Sequence, residues 1–220
     1  MRYFIDSADV PAITRCWETN LIEGITTNPT LIRKSGKNPE VVYQELKDLG
    51  IPDISMEVSG TAQEMLSEGL RLREKFGPVA TIKLPMTVDG LRTCVELSKE
   101  LVRTNVTLVF NVAQALLAAK AGATYVSPFV GRIDDQGYAG LEVVRGIAST
   151  FNMTGMRTEV LAASIRTPHR AVRSACNGAG IVTMPPDVFW AQFNHVLTDQ
   201  GLEIFEKDIA TTNGNLESNS

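Results

Sequence analysis

A single lysine lies within an apolar stretch of the sequence that reads as a short buried strand. This residue is Lys83, in the stretch 79–85 (VATIKLP), whereas the other lysines of the chain lie in helical or loop-like surroundings. Burial disfavours the ammonium form, so the pKa of a buried lysine falls. Such a lysine is a free amine near neutral pH and can attack a carbonyl to form a Schiff base. The alternative is a lysine at a strand end whose ammonium group reaches solvent.

Polar residues of the other predicted strands share the face of Lys83. Side chains alternate across a strand, and in a barrel one of the two faces is the interior. The inward positions are polar where an ordinary core would be aliphatic: Thr81, Asp6, Thr26, Asn28, Ser55, Glu57, Asn105, Thr107, Ser127 and Ser164. The opposite positions are apolar, namely Ile5, Met56, Val58, Val106, Leu108 and Val126. Each polar residue alone could be a cap, a turn residue or a strand former, but together, towards the carboxyl ends of strands, they indicate a site.

Two carboxylates belong to this inward set. A lysine and two acids in one barrel mouth imply that their charges compensate one another, because an isolated buried charge is costly. A Schiff-base lysine needs one group to move protons as the imine forms and another to deprotonate a hydroxyl when a carbon–carbon bond breaks. Asp6 and Glu57 can divide these tasks if their environments separate their pKa values.

A phosphate site is predicted at the ends of the sixth and seventh strands. The seventh strand is followed by Ser164 and Arg166, and Arg132 comes just after the sixth. Barrels often bind phosphate in their last loops, and the planar guanidinium fork suits phosphate oxygens. Each arginine alone could equally be a solvated loop cation, but the combination with Ser164 favours phosphate.

Eight apolar segments supply the strands. They are 3–6, 24–27, 54–59, 79–84, 105–110, 125–130, 159–163 and 181–184, and their spacing leaves room for a crossover helix each time. Helical repeats lie between them, for example Ala62, Met65, Leu66 and Gly69 behind a capping box of Thr61 and Glu64, or Val88, Leu91 and Val95. Eight βα units predict an α/β protein with a closed (β/α)8 TIM barrel. A doubly wound open sheet is the alternative, but no glycine-rich fingerprint follows the first strand.

The chain continues beyond the eighth barrel unit. Residues 198–209 carry Leu202, Phe205 and Ile209 on one face, which predicts an extra C-terminal helix that packs on a neighbouring subunit or forms a lid. Residues 210–220 have little to bury and are expected to be disordered. No linker divides the remainder, so we expect one domain over 1–209 that includes the helix.

Composition excludes several classes of protein. The net charge of −4 and the pI near 5.3 argue against nucleic acid or an anionic membrane as a partner. The apolar runs are shorter than the ~20 residues of a membrane span. The first residues do not read as a signal peptide, which predicts a cytoplasmic location. The three cysteines match no disulfide or metal spacing, and the two histidines are too few for a histidine-rich metal site.

Four motifs in this set resemble those of transaldolases. They are ITTNPT at 25–30, IKLP at 82–85, NVTLVF at 105–110 and SPFVGRID at 127–134. The similarity extends from residue 3 to about 209, and the chain length resembles the short subfamily that also contains fructose-6-phosphate aldolase. The resemblance implies a class I aldolase on a (β/α)8 barrel, with no metal or other cofactor. It also implies a ring-shaped homo-oligomer, a decamer or pentamer, held partly by the C-terminal helix.

The resemblance also implies a role for each matching residue. Lys83 matches the Schiff-base lysine, and Asp6 matches the acid/base that takes the proton of the C4 hydroxyl. Glu57 and Thr107 match the pair that holds a catalytic water. The predicted substrate contacts are Asn28, Asn105 and Ser127 at the dihydroxyacetone unit, Arg132, Ser164 and Arg166 at the phosphate, and Thr26 and Phe129 in the same pocket.

Two positions separate the activities of the subfamily. Fructose-6-phosphate aldolases have glutamine in place of Glu57 and tyrosine in place of Phe129. A phenylalanine cannot donate a hydrogen bond that would help protonate a bound enamine, so the enamine should persist until an acceptor arrives. The sequence therefore predicts a transaldolase that moves dihydroxyacetone between sugar phosphates in the pentose phosphate pathway. Fructose-6-phosphate aldolase is the alternative, and a catalytically idle sugar-phosphate-binding barrel is a third reading.

Overall fold

The computed structural model describes the backbone of residues 1–217. Eight parallel strands form a closed barrel in chain order, and the last strand pairs with the first. The strands are β1 (Arg2–Asp6), β2 (Gly24–Thr26), β3 (Ile54–Glu57), β4 (Ala80–Pro85), β5 (Thr104–Val109), β6 (Tyr125–Pro128), β7 (Glu159–Ala162) and β8 (Ile181–Met184). All eight predicted strands are confirmed to within a few residues at each end. The predicted (β/α)8 barrel is confirmed, and the open-sheet alternative is wrong.

Helices follow each strand, in places two of them. They are α1 (Val10–Trp17), α2 (Pro29–Ser35), α3 (Pro39–Asp48), α4 (Ala62–Phe76), α5 (Val88–Lys99), α6 (Val112–Lys120), α7 (Val130–Asp135), α8 (Gly140–Thr154), α9 (Pro168–Cys176), α10 (Pro186–Ala191) and α11 (Val196–Glu217), with a 3₁₀ turn at Gly77–Val79. The chain divides into two compact units, Met1–Phe189 with the barrel and Trp190–Ser220 with α11. The sixth predicted strand ends at Pro128 because Val130 already begins α7.

Two separate clusters of apolar side chains stabilise the barrel unit. The larger one lies between the strands and the helices and contains the outward residues Ile5, Met56 and Val106. The smaller one fills the barrel interior with Phe4, Tyr125, Leu161, Ala163 and Ile181, and Phe129 packs against it. Gly24 makes room for this interior core, because a Cβ there would lie 2.5 Å from the Phe4 ring. The two clusters therefore follow the alternation of side chains along each strand.

Local sequence signals explain where several helices begin. The predicted capping box of α4 is present, since Thr61 accepts from the Glu64 amide and Glu64 accepts from the Thr61 amide. The predicted apolar face of α5 is confirmed at Leu91, which packs against the outer core, and is wrong at Val88 and Val95, which are exposed whereas Cys94 and Leu97 are fully buried. The physical reason lies at Gly90, where a Cβ would be 2.0 Å from the Pro85 carbonyl. A backbone contact at a glycine therefore sets the orientation of α5, and apolar periodicity does not detect it.

A bulge interrupts the pairing of β5 with β6. The register shifts between Val106 and Val109, and Leu108 has a φ of 60°. A positive φ is uncommon for a residue with a Cβ. Leu108 is therefore not part of the outer core, contrary to its predicted place on the outward apolar face. The bulge directly follows Thr107, one of the predicted site residues.

The amino end of the barrel holds a polar network that the sequence analysis missed. Asp53 is buried and accepts hydrogen bonds from Thr81 (2.7 Å), Tyr125 (2.8 Å) and Arg103 (2.7 Å). Burial raises the pKa of Asp53, and the neighbouring Arg103 opposes that rise. The network links β3 to β4, β5 and β6 across the barrel, so inward polar residues are found at both ends of the strands.

Helix α11 contains the predicted helix 198–209 and is longer. It begins at Val196 and continues through Glu217, so it includes residues 210–217, for which we expected no regular structure. Residues 218–220 of the predicted tail lie outside the described residues, and the disorder predicted for them stays a prediction. Leu202, Phe205 and Ile209 are exposed along the helix. Within the described part of the chain, no helix has both the length and the apolarity needed to cross a membrane.

Candidate active site

The carboxyl ends of the barrel strands surround a pocket. It is lined by Asp6, Thr26, Asn28, Lys83, Thr107, Ser127, Phe129, Arg132, Ala163, Ser164 and Thr183. All of the predicted site residues therefore line it except Glu57, Asn105 and Arg166. Parallel pairing brings the set together, since Asp6 is the register partner of Thr26 and Lys83 is the partner of both Glu57 and Asn105.

Lys83 is buried and held by two contacts. Only 4% of the residue is exposed. Its Nζ donates to the Thr27 carbonyl at 2.8 Å and lies 2.9 Å from Glu57 Oε2 in an ion pair. The lysine is thus paired with one of the two carboxylates that were expected to compensate its charge. Before it can attack a carbonyl it must lose a proton, and Glu57 is in direct contact to accept it.

Glu57 does not line the pocket itself. It borders a second groove, which Asn28, Arg33 and Tyr43 also line. Its contact with a residue of the pocket is the ion pair with Lys83. Asn28 borders both spaces, and its side-chain oxygen accepts from the Leu31 amide at 3.0 Å to cap α2. The amide nitrogen of Asn28 remains as the donor that can serve a ligand.

Asp6 has a different environment from Glu57. It accepts a hydrogen bond from Thr26 Oγ1 at 2.8 Å, and that hydroxyl is 2.7 Å from Thr183 Oγ1. Burial raises the pKa of Asp6, while the nearby charge of Lys83 and the Thr26 hydrogen bond oppose the rise. Because burial has the largest effect, Asp6 binds a proton more tightly than an ordinary aspartate. A carboxyl group tuned in this way suits general acid/base chemistry near neutral pH.

Asn105 lies beneath the pocket in a chain of polar side chains. It is fully buried, donates through Nδ2 to Ser55 Oγ (3.2 Å) and accepts from Ser127 Oγ (2.6 Å). Ser127 lines the pocket, so Asn105 orients a pocket residue. The predicted contact of Asn105 with substrate stays a prediction.

Thr107 presents an unsatisfied hydroxyl to the pocket. Among the described residues, its Oγ1 is the buried side-chain polar atom without a hydrogen-bond partner. Leaving such a group unpaired costs roughly 1–3 kcal/mol. The cost is explained if a water or ligand in the pocket occupies this position during the reaction.

The predicted phosphate residues are only partly together. Arg132 and Ser164 line the pocket, and Arg132 lies over the Phe129 ring at 4.9 Å. Arg166 does not line it, because its guanidinium pairs with Asp135 through two contacts of 2.5 Å. Ser164 has a φ of 57°, and its carbonyl accepts from the Gly131 amide at 3.0 Å. This contact holds the two phosphate-side loops against each other.

Several site residues were missed from the sequence. Thr183 lines the pocket from β8, and the parity rule that identified Thr26 would have found it, since it is the inward polar residue of that strand. Thr27 acts through its backbone carbonyl, which residue type does not reveal. Asp135 follows the recognised motif but carried no signal of its pairing with Arg166, and Ala163 carried no chemical signal.

Comparison with known proteins agrees with this geometry. A family model described as Transaldolase/Fructose-6-phosphate aldolase matches residues 3–219. The chain belongs to this family. It is similar to a "Probable transaldolase" of Cereibacter sphaeroides, with 48% identity over 96% of this chain and 97% of that protein. It is also similar to proteins of the same name from Caulobacter vibrioides (47% identity, 96% and 98% coverage) and Geobacillus thermodenitrificans (46%, 94% and 98%).

The four quoted motifs all reach the barrel mouth described above. Each of these transaldolase/fructose-6-phosphate aldolase motifs contributes at least one residue to the pocket, namely Asn28, Lys83, Thr107 and Ser127. The matches cover nearly the whole chain, so the resemblance is not confined to the site.

The unpaired Thr107 hydroxyl predicts opposite effects on stability and on activity. Thr107→Val removes an unsatisfied buried group while keeping the shape, so the free energy of unfolding should stay equal or rise by about 1 kcal/mol. Turnover should fall at least about tenfold if the hydroxyl holds a reacting water. Urea denaturation and steady-state kinetics measure both quantities. Thr81→Val is the matched control, because that hydroxyl donates to Asp53, and its loss should cost about 1–3 kcal/mol. A comparable loss of stability in Thr107→Val would contradict the assignment.

The raised pKa of Asp6 predicts a pH-dependent cost to the fold. Between the ordinary aspartate pKa of about 3.9 and the raised value, the folded chain holds a proton that the unfolded chain has lost, so stability falls as pH rises. Asp6→Asn removes this dependence. The variant should gain stability over the wild type as pH rises through that window, and turnover should drop by about 10²–10⁴. Urea midpoints measured from pH 4 to 8 test this, with the exposed Glu74→Gln as a charge control. A constant stability difference would refute it.

Proposed function

We propose that the chain is a transaldolase that carries a dihydroxyacetone unit on Lys83. The donor is a ketose phosphate such as sedoheptulose 7-phosphate or fructose 6-phosphate. The acceptor is an aldose phosphate such as glyceraldehyde 3-phosphate or erythrose 4-phosphate, as in the pentose phosphate pathway. The observation that carries the proposal is the Lys83–Glu57 pair at 2.9 Å, in which the buried Lys83 lines the same pocket as a second carboxyl group, Asp6, and Arg132.

Imine formation uses the groups in contact with Lys83. Glu57 accepts the ammonium proton, and the free amine adds to the C2 carbonyl of the donor. Protonation and loss of the carbonyl oxygen as water then give the iminium. Glu57 and Thr107 hold the water that moves these protons, which is consistent with the unpaired Thr107 hydroxyl. The carboxylate next to Lys83 also compensates the positive charge of the iminium.

Carbon–carbon cleavage uses the second carboxyl group. Asp6 takes the proton of the C4 hydroxyl, the C3–C4 bond breaks, and its electron pair moves to the iminium nitrogen to give an enamine. The first aldose phosphate then leaves. When an acceptor aldehyde binds, the enamine carbon attacks it and Asp6 returns its proton to the new hydroxyl. The Thr26 hydrogen bond fixes the Asp6 oxygen that does this.

The remaining pocket residues hold the sugar. Asn28 donates to a hydroxyl of the dihydroxyacetone unit, and Ser127, whose own proton is donated to Asn105, accepts from another. Arg132, Ser164 and Arg166 receive the phosphate at the rim, Arg166 after leaving Asp135. Thr26 and Phe129 complete the wall. These assignments come from the resemblance of the motifs. They are supported by the pocket, which all of these residues line except Asn105 and Arg166.

Phe129 favours transfer over cleavage. Its ring is partly buried against the interior core and lines the pocket. It offers no hydroxyl to protonate the enamine, so the three-carbon unit stays on Lys83 until an acceptor arrives. Fructose-6-phosphate aldolase activity, in which free dihydroxyacetone is released, is the second candidate because the family includes it.

The cellular setting is also proposed. The exposed apolar residues of α11, among them Leu202, Phe205 and Ile209, support a homo-oligomer, a decamer or pentamer that uses this helix. A cytoplasmic location fits sugar-phosphate substrates, and nucleic acid or a membrane surface is not a partner in this proposal.

The proposed activity predicts that fructose 6-phosphate is consumed continuously only when an acceptor is present. Supplying erythrose 4-phosphate should produce glyceraldehyde 3-phosphate and sedoheptulose 7-phosphate in equal amounts. Without acceptor, turnover should stop after about one equivalent per active site, because the enamine is retained. A coupled assay for glyceraldehyde 3-phosphate measures this. Continuous release of dihydroxyacetone without acceptor would support the aldolase instead, and no consumption in either case would leave a non-catalytic barrel.

Phe129→Tyr should raise cleavage relative to transfer. The new hydroxyl can donate a hydrogen bond or hold a water near the enamine, so the ratio of dihydroxyacetone release to transfer should increase about tenfold or more. Phe110→Tyr is the control, because that ring lies 5.9 Å from Phe129 but outside the pocket. An unchanged ratio in Phe129→Tyr, or an equal rise in Phe110→Tyr, would contradict the role given to Phe129.

A further inference from the structure

The guanidinium of Arg166 is occupied by a carboxylate of the protein itself. Its Nη1 and Nη2 contact the two carboxylate oxygens of Asp135, each at 2.5 Å. Asp135 is the last residue of α7, and Arg166 lies in the connection between β7 and α9. The hydrogen bonds from Arg166 hold the pKa of Asp135 below its usual range. The pair is therefore formed at neutral pH.

The stem of Arg166 already lies beside the pocket. A Cβ on Gly131 would be 2.9 Å from Arg166 Nε and 3.0 Å from Ser164 Oγ, so both atoms lie over the same glycine. Ser164 lines the pocket. Only the outer end of the guanidinium is held by Asp135, and a rotation of the last side-chain bonds would bring it to Ser164. The absence of a side chain at Gly131 leaves space for that movement.

The carboxylates at the end of α7 pair with nearby arginines. Asp134 pairs with Arg170 at 3.2 Å, so the end of α7 presents two carboxylates to two arginines. Arg132, in contrast, lines the pocket and has no carboxylate within 4.0 Å among the described residues. The rim therefore offers an anion one arginine, while the second is held by Asp135.

We propose that Asp135 sets the phosphate affinity of the site, because it competes with the substrate phosphate for Arg166. The inference rests on the proposed function, because it takes the ligand to be a sugar phosphate. A guanidinium fork makes one bidentate contact at a time, and a phosphate dianion is the stronger partner. Both side chains of the pair are about half exposed, so the pair is weak enough to open. An unphosphorylated sugar has no charge with which to displace Asp135, and it meets a rim with Arg166 turned away.

Asp135→Asn tests the competition directly. Calorimetric titration of the intact protein with inorganic phosphate should show a dissociation constant about two- to fivefold lower than in the wild type. The KM for fructose 6-phosphate should fall by a similar factor, with kcat unchanged. The KM for fructose, which lacks the phosphate, should not change. A general effect on folding or on the reaction would instead change the kinetic constants for both sugars.

Two further variants identify the cause. Glu142→Gln removes the same charge by breaking an exposed arginine–carboxylate pair on α8, and it should leave phosphate affinity unchanged. Arg166→Ala combined with Asp135→Asn should abolish the gain. Unchanged or weaker phosphate binding in Asp135→Asn, or an equal gain in Glu142→Gln, would overturn the proposal. The titration requires no turnover, so tighter phosphate binding without sugar transfer would refute the proposed function alone, and transfer with unchanged phosphate binding would refute this inference alone.

Discussion

The ion pair between Lys83 and Glu57 is the constraint on which the site depends. Two opposite charges in a barrel interior are tolerated only when each compensates the other and both are hydrogen-bonded. Cross-strand pairing of β3 with β4 places them side by side, and the carbonyl of Thr27, the residue after β2, accepts a further hydrogen bond from Lys83. The closed barrel thus buries the Lys83 amine and places beside it the carboxylate that accepts its proton.

The barrel interior is divided into zones with different tasks. At the amino end, Asp53 ties four strands together through hydrogen bonds, and Phe4 and Leu161 belong to the apolar cluster that fills the interior. The carboxyl end keeps reactive groups, and there Thr107 carries an unsatisfied hydroxyl. Stability is therefore concentrated below the site, which allows the upper layer to retain polar groups that a stable core would exclude.

The sequence predicted the barrel and most of the pocket because both follow from alternation along strands. Lys83, Asp6 and Thr107 are inward by parity, and the structure brings all three to one pocket. The same rule would have found Thr183. What it could not detect are contacts made by the backbone or by single glycines, such as the Thr27 carbonyl and the Gly90 approach that orients α5. The partner of Arg166 depends on how two loops meet, and no local pattern encodes that.

Reduction of the enzyme with borohydride in the presence of fructose 6-phosphate tests the central claim most directly. The account predicts that a three-carbon adduct is fixed on the peptide containing Lys83, as measured by mass spectrometry. Lys83→Arg should abolish the adduct and the activity, whereas Lys99→Arg, on the exposed surface of α5, should retain both. An adduct on another lysine, or transfer activity that persists in Lys83→Arg, would contradict the account.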